Sequence, residues 1–104
     1  LIDRNNYLTF YPLLVEAGVG AVEPRHVVVP LRRFTKGGRF VMGEVEAVDP
    51  AAKTVTYHVP GSLGPEKMPY DVLVVALGSV TRMPDVPGLQ EFGFTVKTIG
   101  DVIE

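Results

Sequence analysis

Tyr70-Asp71-Val72-Leu73-Val74-Val75-Ala76-Leu77-Gly78-Ser79 is the stretch whose reading decides the fold. Val72 to Leu77 are all apolar, and three of them are valines. A helix that short does not recover its nucleation cost, so the run predicts a strand. A strand apolar on both faces belongs inside a sheet covered on both sides, the habit of parallel α/β sheets. The run stops at Gly78. Glycine permits close approach of another backbone or of a ligand, and ligands of open α/β sheets sit beyond the carboxyl ends of strands. On its own residues the stretch fits a ligand-facing strand and a plain core strand ending in a turn equally well.

The residues on either side extend the pattern. Upstream, Pro60 to Pro69 carries Gly61 and Gly64 and predicts a loop or a longer hairpin tip. Before it stands a hairpin. Arg39 to Val48 reads as one strand with Val41, Val45 and Ala47 on one face, and Asp49 to Lys53 as the turn. Thr54 to Val59 returns with Val55, Tyr57 and Val59 inward and Thr54, Thr56 and His58 outward, so His58 takes no catalytic role. Gly43-Glu44-Val45 can lend backbone groups to a ligand, though spacing alone does not show it. Downstream, Thr81 to Gly88 predicts an extended Pro-rich connection, Leu89-Gln90-Glu91 a brief turn and Phe94-Thr95-Val96 a short strand. Thr98, three residues before Asp101, resembles the capping arrangement of a helix just beginning.

At the other end, Leu1-Ile2-Asp3 reads as the last residues of a buried strand closed by a carboxylate. An acid there in a dinucleotide fold accepts hydrogen bonds from ribose hydroxyls; alone it is a solvated turn residue. Asn5-Asn6 is turn chemistry. Pro12 suits the first turn of a helix whose apolar face is Leu13, Leu14 and Ala17, ended by Gly18 or Gly20. Tyr7, Phe10 and Tyr11 cluster before it, either as aromatic core or as a wall against a flat ring system. Pro24 opens another short segment, Val27 to Val29 is ambiguous between strand and helix, and Leu31 to Phe34 forms a turn of helix. His26 has no Ser, Asp or Glu at a catalytic or metal spacing, and Arg32 and Arg33 read as solvated.

Composition narrows the classes. With 104 residues the chain holds one modest core. A net charge of −2 leaves no basic footprint for nucleic acid. Cysteine is absent, which removes disulfides, thiol redox and Cys-based metal sites from this stretch. No apolar run approaches the roughly 20 residues that span a bilayer, and no signal peptide is visible. The chain opens Leu1-Ile2-Asp3-Arg4 without Met and closes on an incipient helix, which predicts a piece of a longer protein.

Taken together the pieces resemble a known family. They are a strand ending in an acid, an aromatic-Pro-Leu-Leu segment, a Gly-x-Val hairpin, Tyr-Asp-x-Leu-Val-Val-Ala-x-Gly-Ser and Val-Pro-Gly. That order resembles the flavoproteins with two dinucleotide-binding domains. Within them it is most similar to type II NADH dehydrogenase, the single-chain NADH:quinone oxidoreductase. Leu1 to Pro12, Glu23 to Arg32 and Phe94 to Asp101 carry the likeness to that branch. The Ala-x-Gly-Ser and Val-Pro-Gly elements are general to the superfamily.

The resemblance implies an α/β fold: a single partial FAD/NAD(P)-binding, Rossmann-like domain over residues 1–104, with an inserted β-hairpin. Its first strand and Gly-x-Gly-x-x-Gly turn are not among these residues. It implies that Asp3 holds the adenosine ribose of FAD, with Arg4 near the adenine and the Val45 backbone meeting it. Phe10, Tyr11 and Pro12 then lie near the flavin ring, and Ala76, Leu77, Gly78 and Ser79 run close to the cofactor. Leu77 stands where the wider superfamily has Thr, at the loss of a hydroxyl. Gly100-Asp101 is not the family's later Gly-Asp flavin motif, because it comes too soon and opens a helix. The implied parent passes electrons from NADH through FAD to a quinone, peripherally on the cytoplasmic face of a membrane. The piece itself is expected to be soluble, to retain no FAD, and to hold no catalytic residue and no metal. Sulfide:quinone reductases and disulfide reductases share the fold, and a self-contained small binding domain is the alternative of a different class. Bare apolar strand edges further predict self-association.

Overall fold

The computed structural model describes residues 1–103, as a mixture of short strands and helical turns. Strand β1 (Ile2–Asp3) pairs in parallel with β4 (Val41–Met42), Ile2 opposite Val41 and Asp3 opposite Met42. Strand β2 (Tyr7–Thr9) pairs with β3 (Val28–Pro30). Strands β5 (Glu44–Asp49), β6 (Thr54–His58) and β7 (Glu66–Pro69) form an antiparallel sheet in that order. The chain divides into two compact units: Leu1–Leu8 with Pro30–Val75, and Thr9–Val29 with Ala76–Glu104.

In the first unit the antiparallel sheet follows the predicted alternation. Val55 and Tyr57 are buried while Thr54, Thr56 and His58 are half-buried on the opposite face. The Tyr57 hydroxyl donates to Glu66 Oε2 at 2.9 Å, tying β6 to β7. This bond, which keeps the phenol protonated, is the main reason the Tyr57 pKa is raised. At the turn the Asp49 carboxylate accepts from the N–H groups of Ala51 and Ala52 at 3.0 and 2.9 Å. That satisfies the backbone without tertiary help, as Asp does in turns. Lys53 closes the turn with φ +50°.

The second unit is built on α1 (Leu14–Gly18). A 3₁₀ turn over Tyr11–Leu13 leads into it with Pro12 in its first positions, where the missing N–H is harmless. Leu14, Ala17 and Val27 form a buried cluster, with Leu13, Val22, Val28, Ile99 and Val102 packed around it. The helix ends as predicted. Gly20 takes φ +76°, its N–H bonds to the Ala17 carbonyl, and the Ala21 N–H bonds to the Glu16 carbonyl. This is the paired-bond stop that a left-handed glycine makes available. A second 3₁₀ turn, Pro24–His26, sets Val27 into the core, and α2 (Leu89–Phe92) is the brief turn expected there.

Several expectations are overturned. Val72 to Leu77 forms no strand. From Asp71 to Met83 no residue makes a backbone–backbone hydrogen bond among the described residues, and a strand exists only by its ladder. The apolar side chains meet no covering layer: Val72, Val74 and Leu77 are 85%, 82% and 76% exposed. Phe94 to Val96 is likewise no strand. Arg39 to Val48 is two strands, broken at Gly43, because β4 turns to pair with β1. A register shift between Val45 and Ala47 then leaves Ala47 exposed instead of on the buried face. The end of the predicted Pro60–Pro69 loop is strand β7, whose place at a sheet edge tolerates Pro69. The strand at Ile2–Asp3 is half-buried, since only β4 covers one side of it in the described ladder.

Candidate cofactor site

Three of the predicted residues lie in the first unit, at the ends of β1 and β5. Asp3 closes β1, and its peptide carbonyl accepts the Gly43 N–H at 2.9 Å. Gly43 is buried, and a Cβ there would stand 2.9 Å from the His58 carbonyl oxygen and 3.4 Å from the Tyr57 ring. Only glycine lets the chain between β4 and β5 lie this close to β6. The Asp3 carboxylate is fixed by its own turn, Oδ1 accepting the Asn5 N–H at 2.8 Å. Its Oδ2 accepts no hydrogen bond among the described residues. One oxygen therefore orients the group while the other is open to hydroxyl donors. Arg4 is exposed, with Nη1 3.9 Å from Glu44 Oε1, a loose surface pair worth little to stability. Val45 follows Glu44 in β5, half-buried opposite Tyr57.

The other seven lie in the second unit. Phe10 and Tyr11 are 50% and 57% exposed, and Pro12 is exposed. The Phe10 N–H is engaged by the Val27 carbonyl at 2.7 Å, so this amide is not directed at a ligand. Ala76, Leu77, Gly78 and Ser79 are all exposed. Gly78 has φ +73°, yet an added Cβ would meet nothing within 4 Å. The backbone conformation, rather than crowding, selects glycine there.

The sequence reading missed what holds Ser79. Lys97 Nζ donates to Ser79 Oγ at 2.7 Å. Asp101 organises the loop that carries Lys97. Its Oδ2 accepts the N–H groups of Lys97 and Thr98 at 2.8 and 3.0 Å and the Thr95 hydroxyl at 3.1 Å. Its Oδ1 accepts the Thr98 hydroxyl at 2.9 Å, and the Asp101 N–H donates back to Thr98 Oγ1 at 3.3 Å. This reciprocal pair is the capping arrangement expected from Thr98 and Asp101. The backbone donors, Lys97 first, pull the Asp101 pKa down to about 2. The signal for Lys97 was its place just before that capping pair. A concavity of about 260 Å³ lies alongside, lined by Val15, Gly18, Val19, Val96, Asp101 and Val102. None of the predicted cofactor residues lines it.

A parallel strand closed by an acid is a feature of dinucleotide-binding folds. Over residues 1–103 the chain matches the pyridine nucleotide-disulphide oxidoreductase family, and it belongs to that family. Among its relatives is the external alternative NAD(P)H-ubiquinone oxidoreductase B3 of Arabidopsis thaliana mitochondria, 32% identical over 97% of this chain. The structure of NDH2 from Plasmodium falciparum in complex with NADH superposes with a TM-score of 0.82 at 27% identity, covering 99% of this chain. The sulfide:quinone oxidoreductase of Aquifex aeolicus does so with 0.80 at 26%, again over 99%. The chain spans 19% of that plant relative's length and 22% and 23% of the two structures' chains. These likenesses establish the α/β class and the kinship with NAD(P)H–quinone oxidoreductases.

Proposed function

We propose that residues 1–104 are one partial FAD-binding domain of an NADH:quinone oxidoreductase. The observation that carries this reading is the Asp3 carboxylate at the end of a parallel strand, one oxygen fixed by the Asn5 N–H and the other open. A carboxylate so placed is suited to ribose hydroxyls, which are donors it can accept from at its second oxygen. FAD, when bound, accepts hydride from NADH and passes the electrons on to a quinone. The chain's own part is binding and orientation: Asp3 and Arg4 at the adenosine end with the Val45 backbone, and Phe10, Tyr11, Pro12 and Ala76 to Ser79 toward the flavin. No residue of the chain is assigned as acid, base or nucleophile. The parent works peripherally at a membrane, where quinone dissolves. Among the described residues no helix is long and apolar enough to cross one.

The test is Asp3→Asn in the full-length protein. Loss of the charged acceptor weakens FAD binding about 10- to 100-fold, the span set by a hydrogen bond to a charged group. An unchanged affinity removes Asp3 from the site. The 104-residue chain alone is expected to retain no flavin, to reduce no quinone with NADH and to self-associate. Sulfide:quinone reduction is the second reading, favoured by the likeness to the Aquifex aeolicus enzyme. It predicts flavin bleaching by sulfide in the full-length protein, where the first reading predicts bleaching by NADH.

A further inference from the structure

The Ala76–Ser79 segment has one polar tether in the second unit. Among the described residues, the Lys97–Ser79 bond is the only hydrogen bond made by any residue from Asp71 to Met83. The other end of the tether is firm. The Lys97 N–H is held by Asp101, whose neighbours Ile99 and Val102 pack on the Leu14–Ala17–Val27 cluster. Val102 lies so close to α1 that a Cβ on Gly18 would stand 3.3 Å from its Cγ1. A chain of contacts therefore runs from the buried cluster, through the Asp101 loop, to an ammonium group and on to Ser79.

We propose that Lys97 is a positioning residue for the cofactor site: it fixes Ser79, and with it the Ala76–Ser79 backbone, in the conformation that meets FAD. The inference rests on the reading of Ala76 to Ser79 as cofactor-binding. Ser79 is exposed and sits in no regular element, so without the tether its segment samples many conformations and binding must first order it. A charge-assisted bond at 2.7 Å supplies that order in advance. Asp101 serves Lys97 by its backbone and remains charged, with its pKa near 2.

The experiment uses the full-length protein with Ser79→Ala, Lys97→Met, Lys97→Arg and the Ser79→Ala/Lys97→Met double variant. FAD is titrated into each apoprotein, following quenching of flavin fluorescence, and the apoprotein melting temperature is recorded alongside. Each single variant is expected to bind FAD about tenfold more weakly, as loss of one charge-assisted bond does. The double variant is expected to bind no more weakly than either single, since the two residues act as one unit. Lys97→Arg is expected to recover most of the affinity, and the apoprotein melting temperatures are expected to stay within about 2 °C of wild type, because an exposed contact contributes little to global stability. Unchanged affinity in Lys97→Met, or single losses that multiply in the double variant, overturns the inference and leaves the FAD reading standing. A wild-type protein that binds no FAD overturns both.

Discussion

Gly43 shows how much one missing side chain arranges. Its N–H reaches the Asp3 carbonyl, and its bare Cα lies against the His58 carbonyl and the Tyr57 ring. Gly43→Ala forces a methyl to within 2.9 Å of a backbone oxygen that cannot swing aside. The substitution is expected to destabilise the protein by about 1–3 kcal/mol, as overpacking does, read as a lower urea midpoint at unchanged m-value. Asp101 governs a different part of the molecule through charge. Its folded pKa is lowered from 3.8 to about 2, so the ionised carboxylate is the form the fold favours. Its contribution is fully present above 3.8 and is lost as pH falls through the interval down to about 2. The amide shifts of Lys97 and Thr98 should titrate together with a midpoint near 2, and Asp101→Asn should abolish that titration.

At the scale of elements, the antiparallel sheet is the most self-sufficient part. Its turn is closed by the Asp49 carboxylate on two backbone N–H groups and its strands by the Tyr57–Glu66 bond. Asp49→Ala leaves both donors to solvent and is expected to cost about 1 kcal/mol, measured by chemical denaturation. Val72 to Leu77 is the opposite case. Its residues have high strand propensity, yet propensity acts only when a neighbour offers a ladder and a face to cover. Six successive apolar residues therefore stand in no element, most of them exposed.

For the whole molecule, that exposure has a consequence in solution. A contiguous apolar stretch of strand-forming residues without a partner invites pairing with another copy. The 104-residue chain is expected to be dimeric or larger by light scattering at micromolar concentration, and Val74→Asp to shift it toward monomer. A chain that stays monomeric at those concentrations defeats the expectation.

Short-range chemistry was legible in the sequence alone: Pro12 and Pro24 opening helical turns, Gly20 stopping α1, the Thr54–His58 alternation, and the Thr98–Asp101 cap. Each depends on neighbours within a few residues, where backbone geometry and hydrogen-bonding groups fix the outcome. The order of motifs also carried the family, since the strand-end acid and the Ala-x-Gly-Ser element are readable as strings. Tertiary structure decided the rest. It chose β1 as the partner of β4, made a strand of Glu66–Pro69, left Val72 to Leu77 without a ladder, and brought Lys97 to Ser79 across the chain. A strand or a tether is a relation between two distant segments, and a residue's own preferences say nothing about whether the second segment will be there.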